Sequence, residues 1–286
     1  MHGAGTVSDH SVRIAGLQLD IAWETPAENF RRAETLAAQA ADSGARLLAL
    51  PEMFATGFSM RAEAMSSHAV EVREFLADLA TRHQVWVIGG FAEPGEERPA
   101  NACGVFGPDG REILHYRKIH SFSLADEQEH YEAGGEIGTV EIEGVRVTPL
   151  ICYDIRFPEL FRVAATATDL FVVIANWPTR RAYAWRTLLA ARAIEGQVWV
   201  LGVNRVGDAN GYPHRGDTSL VDPWGEVVDT LADDAGVVAG EVDVDVVRRA
   251  RQQFRFLDDR RPEVYRRLED AEGLIQRDRE ATRQNS

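Results

Sequence analysis

The stretch Val147-Thr148-Pro149-Leu150-Ile151-Cys152-Tyr153-Asp154-Ile155-Arg156-Phe157-Pro158-Glu159-Leu160 decides how the chain is read. An apolar run ends at a cysteine. Polar and charged residues follow at once, and Pro158-Glu159 opens a helix, since proline is preorganised for a first helical turn. A strand that is apolar on both faces must be covered on both faces. A strand-to-helix turn exposes the residue it carries and offers N–H groups that have no intrahelical partner.

The same grammar extends outward. Residues 12–18, 47–50, 85–90, 145–152, 170–175, 198–204 and 237–244 read as strands. Residues 31–41, 68–83, 158–167 and 183–195 read as helices, the first opened by Thr25-Pro26-Ala27-Glu28 with the sequence of a capping box. Gly107-Pro108-Asp109-Gly110, Glu143-Gly144 and Asp222-Pro223-Trp224-Gly225 separate further short strands as hairpin turns, the second between 137–142 and 145–152. Strands alternating with helices, with hairpins among them, give a layered α/β domain. No linker interrupts the pattern, so one domain is expected over 12–270, with polar, flexible ends at 1–11 and 271–286.

The chain has 286 residues, 45% of them hydrophobic and 27% charged, which suits a sizeable core and excludes a disordered chain. No apolar run reaches the roughly 18 residues of a transmembrane helix. The polar start lacks the apolar centre of a signal peptide. Two cysteines make no disulfide framework, and a reducing, cytoplasmic setting is expected. A net charge of −14 gives no basic field, so neither nucleic acid nor membrane is an expected partner. Arg248, Arg249 and Arg251 read as a solvated helix face. One count stands apart: of 31 basic residues 30 are arginine, and the one lysine is Lys118. Arginine is a planar fork that keeps its proton, whereas lysine is a compact point charge with a tunable pKa.

Three chemistry-bearing residues leave apolar runs directly, where α/β sheets gather their functional groups. Glu52 follows Leu47-Leu48-Ala49-Leu50-Pro51, Lys118 follows the strand ending at Tyr116, and Cys152 follows Leu150-Ile151. A free thiol, with a pKa around 8.5, needs a neighbouring base or cation to act as a nucleophile. Taken alone, a cysteine at such a place is a small buried hydrophobe, the reading given to Cys103. Taken alone, Glu52 is a loop cap or an arginine's partner; beside a thiol and an ammonium it is a general base. The chain has no H-E-x-x-H, C-x-x-C, EF-hand or G-K-[ST] pattern, and its eight histidines have no ligand spacing. Neither a metal nor a cofactor is expected. His120 and His214 have no local pattern that would support a Cys–His pair.

Leu50-Pro51-Glu52-Met53-Phe54, Tyr116-Arg117-Lys118-Ile119-His120 and Ile151-Cys152-Tyr153-Asp154-Ile155-Arg156-Phe157-Pro158-Glu159 resemble, in order, the three signature segments of the nitrilase superfamily, the carbon–nitrogen hydrolases. The resemblance runs from about Val12 to Val244. It implies a four-layer α-β-β-α sandwich, often paired as a homodimer. It also implies Glu52 as base, Lys118 as electrostatic stabiliser and Cys152 as nucleophile; in that mechanism the backbone N–H of Tyr153 is expected to join Lys118 at the oxyanion site. The family's second glutamate falls on Glu127, by its distance from Gly134, or on Glu129.

Ala175-Asn176-Trp177-Pro178, Ala191-Arg192-Ala193-Ile194-Glu195, Asn204-Arg205-Val206-Gly207 and His214-Arg215-Gly216-Asp217-Thr218 are similar to the omega-amidase branch. That branch hydrolyses the terminal amide of short α-keto dicarboxylic monoamides such as 2-oxoglutaramate and 2-oxosuccinamate. An anionic substrate in an acidic protein needs a local cation, for which Arg181 is the candidate, with Trp177 as a pocket wall. The alternatives are a deamidated-glutathione amidase, an N-carbamoyl-amino-acid hydrolase and, outside enzymes, a non-catalytic binding homologue.

Overall fold

The computed structural model describes residues 11–270; the ends expected to be flexible lie outside that range, except Ser11, which is the first residue of a strand. The chain divides into a compact body ending at Arg249 and a segment starting at Ala250, so the expected 12–270 span runs across the division. The first half of the body carries β1 (Ser11–Gln18), α1 (Pro26–Asp42), β2 (Leu47–Ala49), α2 (Ala62–Ser66), α3 (Ala69–His83), β3 (Trp86–Glu93), β4 (Ala100–Phe106), β5 (Glu112–Arg117) and α4 (Glu127–His130). The second half carries β6 (Val140–Ile142), β7 (Val145–Ile151), α5 (Pro158–Ala164), β8 (Leu170–Ala175), α6 (Ala182–Gly196), β9 (Trp199–Asn204), β10 (Val206–Ala209), β11 (Tyr212–Val221), β12 (Val227–Ala232) and β13 (Gly236–Asp243), and α7 (Val244–Gln253) starts in it and continues past Arg249. The segment from Ala250 is helical again over 262–270, after an Arg255–Asp258 ion pair of 2.7 Å.

Two sheets result. The first has the order β13-β1-β2-β3-β4-β5, with β1, β2 and β3 parallel. The second runs β10-β11-β9-β8-β7-β6 with β12 beside β11, and its centre β7-β8-β9 is parallel. Side-chain alternation dictates how they stack. Val12 and Ile14 of β1 join the core between the sheets, while Ala15 and Leu17 join the core under α1 and α3. The buried face of α1, Ala33, Ala37 and Ala40, falls at helical spacing, as do Trp185, Leu189 and Ala193 of α6. Helices α1 and α3 cover the first sheet, α5 and α6 the second, and the inner sheet faces meet, which makes the four-layer α-β-β-α sandwich.

Glycine sets the closest approach between layers at the site. A Cβ on Gly90 of β3 would stand 2.8 Å from the Glu52 Cα, the Met53 nitrogen and the Ile174 side chain, so no larger residue fits where the turn after β2 crosses the sheet.

Some local expectations are corrected. Thr25 makes no side-chain cap; its hydroxyl donates to the Trp23 carbonyl, and Glu28 turns outward to Arg31 and Arg32. Strand β7 stops at Ile151, because Cys152 has φ 47°, a left-handed conformation that no strand contains. Residues 137–139 lie outside β6, and the helix expected over 158–167 ends at Ala164 with a 3₁₀ turn behind it. The hairpin β10–β11 is an element that the reading above lacks. Its turn, Asn210-Gly211, with φ 53° and 88°, carries the dipeptide that favours such turns.

Candidate active site

Each candidate residue stands just past a strand end. Glu52 follows β2, Lys118 follows β5, Cys152 follows β7, and Asn176-Trp177 follow β8. Parallel pairing fixes them side by side: Ile151 is opposite Ile174, and Ala175 opposite Asn204. The turns are tight, since Met53 and Cys152 both hold positive φ, a conformation costing of order 1–3 kcal/mol for a residue other than glycine. A cavity of about 690 Å³ opens over them, with Lys118, Cys152, Tyr153, Trp177, Arg156 and Arg181 among its walls.

At its floor lies a buried charge cluster. The Lys118 ammonium donates to Glu52 Oε1 at 2.9 Å and to Glu127 Oε2 and Oε1 at 2.9 and 3.1 Å. All three residues are almost inaccessible. Burial works against the ammonium, but Glu127 and Glu52 outweigh it and hold its pKa above the ordinary lysine value. Glu52 Oε1 also accepts from Asn101 Nδ2 at 2.7 Å, and its Oε2 from the Asn176 N–H at 2.8 Å. Of the two glutamates weighed for the second position, Glu127 faces Lys118 and Glu129 is exposed.

Cys152 is 9% exposed, at the cavity wall. Burial pushes its thiol well above the ordinary value, the Glu52 carboxylate adds to that through charge and a side-chain hydrogen bond, and Lys118 pulls partly back. The resting sulfur is therefore a thiol at neutral pH, and it needs a base to act as a nucleophile. Tyr153 stands in the first turn of a 3₁₀ helix, Cys152–Arg156, where leading N–H groups have no intrahelical partner.

Asp154 ties this turn to the lysine segment. It is fully buried and accepts from Tyr116 Oη (2.7 Å), the His120 N–H (3.0 Å), His120 Nδ1 (3.0 Å) and the Ile151 N–H (3.1 Å). Tyr116 and His120 flank Lys118, so one carboxylate sets nucleophile and ammonium relative to each other. From α6, Arg192 donates twice to the Ile155 carbonyl, at 2.6 and 2.9 Å, while pairing with Glu195. Asn204 grips both the N–H and the carbonyl of Trp177, at 2.7 and 2.9 Å.

Trp177 is both wall and core, with its ring 5.5 Å from Trp185 and its Nε1–H on the Arg181 carbonyl. Arg181 is half-buried and lies 4.9 Å over Phe122. His214, also in the wall, donates from Nδ1 to the Tyr212 carbonyl; burial and the Arg205 charge push its pKa down to about 4, so the ring is neutral. Among the described residues no cluster of three or more His, Cys, Asp or Glu could hold a metal ion, and no helix is long and apolar enough to cross a membrane.

Sequence reasoning misses Asn101, Asp154 and Arg156 as site residues. Asn101 had a signal, a polar residue inside the apolar run of β4. Asp154 had none, because its partners come from segments that only the fold brings together.

Comparison with known proteins adds the following. The sequence profile of the carbon-nitrogen hydrolases matches residues 13–252. The chain is 33% identical over 256 residues to the 2-oxoglutaramate amidase of Bacillus subtilis (strain 168), covering 88% of this chain and 98% of that one. It is 38% identical over 214 residues to the omega-amidase YafV of Escherichia coli (strain K12), covering 74% and 83%. Among solved structures, XC1258 from Xanthomonas campestris, a CN-hydrolase superfamily protein with an arsenic adduct in its active site, superposes with a TM-score of 0.83 at 32% identity, covering 88% of this chain and 98% of the other.

Proposed function

The chain belongs to the carbon–nitrogen hydrolases, and from that premise we propose that it is an omega-amidase whose cavity carries out cofactor-free hydrolysis of the terminal amide of short α-keto dicarboxylic monoamides. The observation that carries the reading is a buried carboxylate, Glu52, bonded to the ammonium of Lys118 at 2.9 Å, with the thiol of Cys152 and the same ammonium both lining one cavity.

In the proposed reaction Cys152 Sγ attacks the amide carbonyl as its proton passes to Glu52. The C=O bond becomes a C–O⁻, stabilised by the Lys118 charge and the Tyr153 N–H. Collapse of this intermediate expels ammonia, which takes the proton from Glu52 and leaves a thioester. Water, deprotonated by Glu52, then adds to the thioester, and the proton returns to sulfur as the acid leaves. Glu127 and Asn101 hold Lys118 and Glu52 in register, and no residue changes oxidation state. For the substrate carboxylate, Arg181 is joined by Arg156, whose guanidinium lies 4.9 Å over the Trp177 ring in the same cavity. Both cysteines are free, which suits the reducing cytoplasm this reading assigns to the enzyme.

The test is ammonia release from keto-acid ω-amides, uncharged amides, peptide amides, N-carbamoyl amino acids and nitriles. The keto-acid amides are expected to have the highest kcat/KM, Cys152→Ala to abolish their turnover, and Arg181→Ala to raise KM for them far more than for an uncharged amide. Preference for carbamoyl or peptide substrates overturns the branch assignment. Turnover by Cys152→Ala overturns the thiol mechanism.

A further inference from the structure

The cavity holds more positive charge than the proposed substrate can neutralise. Arginines in the body of this acidic protein generally sit in ion pairs, such as Arg46 with Glu143, Arg146 with Asp169 and Arg192 with Glu195. Among the described residues of the body, the guanidinium groups of Arg98, Arg156, Arg180 and Arg181 pair with no carboxylate, and the last three residues line the cavity above Cys152. The remaining charged wall residues are already neutralised: Arg61 pairs with Glu24, and Lys118 with Glu52 and Glu127.

Each of the three rests on an aromatic face in place of an acid. Arg156 lies 4.9 Å from the Trp177 ring centre, Arg181 4.9 Å from Phe122, and Arg180 5.7 Å from Tyr212. A guanidinium stacked this way keeps its N–H edge free for a planar anion. The three also repel one another: after burial, the Arg180 charge and, more weakly, that of Arg156 depress the pKa of Arg181. Such an arrangement costs stability unless a ligand's negative charge relieves it.

A monocarboxylate bound by Arg156 and Arg181 leaves Arg180 unanswered, and a short keto-acid amide occupies only a fraction of about 690 Å³. We propose that Arg180, with Tyr212 and Asn210 beside it in the cavity wall, forms an outer carboxylate subsite, so that the enzyme accepts ω-amides bearing a second carboxylate remote from the scissile bond. The proposal rests on the amidase reading of the site and extends its substrate class to dianionic amides.

N-succinylglutamine and N-butyrylglutamine have the same chain length and differ by that carboxylate. Each is measured as a competitor of keto-acid amide turnover and, independently of turnover, as a protectant of Cys152 against iodoacetamide. N-succinylglutamine should bind about tenfold better, the scale of a charge-assisted hydrogen bond. Arg180→Gln should remove most of that ratio, and Arg98→Gln, outside the cavity, should leave it in place. Equal binding of the two compounds overturns the subsite, as does a ratio that ignores Arg180→Gln or falls equally with Arg98→Gln. If the keto-acid amide itself is not hydrolysed, the amidase reading fails, and the protection ratio still decides the subsite.

Discussion

Arg117 and Lys118 are neighbours in sequence at the end of β5, and they serve two clusters of opposite character. Arg117 joins a cluster at the surface, bonding to Glu93 at 2.6 Å and Glu132 at 2.8 Å, where His115, Arg73 and Glu112 complete the pairing. Lys118 turns to the other side and meets Glu52 and Glu127 out of contact with bulk water. The surface cluster links groups of both signs and is a third exposed at Arg117. The buried one sets two carboxylates against one ammonium, with an Asn101 Oδ1 that has no partner among the described residues. Where charges are answered from within, the result is a clamp between strands. Where they are buried beside a thiol, the result is a place for a substrate. The lysine count in the sequence thus acquires a physical reason: a fork spans separate carboxylates at a surface, whereas a point charge fits a closed space between them and a reacting oxygen.

Exchanging the two cations tests this most severely. Lys118→Arg should lower kcat/KM about 100- to 1000-fold, the usual cost of losing an oxyanion donor, while circular dichroism remains native. Arg117→Lys should leave turnover near normal, because its partners lie outside the cavity. Near-normal kinetics for Lys118→Arg would remove the distinction between the clusters.

A smaller effect is expected at Asn101, which bridges the buried carboxylates through Nδ2, at 2.7 Å to Glu52 and 3.0 Å to Glu127. Asn101→Ala takes a donor from both and leaves two buried carboxylates short of a partner. It should lower kcat by about tenfold with KM little altered. Near-normal kcat in Asn101→Leu, which keeps the volume but has no donor, would mean that Asn101 only fills space.

The contrast also explains what the sequence could disclose. Parallel strands announce themselves because both faces are buried, so 47–50, 170–175 and 198–204 are legible to within a residue. Glu52, Lys118 and Cys152 are legible because each chemical group ends an apolar run. Roles set by partners are not. On paper only its distance from Gly134 favours Glu127 over Glu129; what brings it in is Asp126, whose φ of 53° starts α4 so that Glu127 turns in while its carboxylate takes the Phe122 N–H at 2.6 Å. The capping box at Thr25 fails for the converse reason: its sequence is right, but Arg31 and Arg32 compete for Glu28. The Asn210-Gly211 turn carries its signal, but Pro213, in β11, disguises the strand behind it.

The least effect, and the one that isolates the surface cluster, concerns pH. His115 stands between Glu112 and Glu93, at 2.9 and 3.0 Å, and its hydrogen bonds to them raise its pKa to about 9 despite burial. A group whose folded pKa is raised stabilises the fold fully below its unfolded value, near 6.5, and loses that contribution as pH climbs through about 9. Glu93 runs the other way. Burial raises its pKa, but His115 and Arg117 overcome this and leave it lowered, so its share is present above 4.5 and lost as pH falls through the folded value. Both contributions coexist between about 4.5 and 6.5. His115→Gln should therefore lower Tm by about 2 °C at pH 6, a modest figure because the ring is partly exposed to screening solvent. By pH 9.5 the gap should nearly close, with turnover at neutral pH unaffected throughout. A gap of equal size at both pH values would assign the loss to packing, and the clamp would then owe nothing to the histidine's charge.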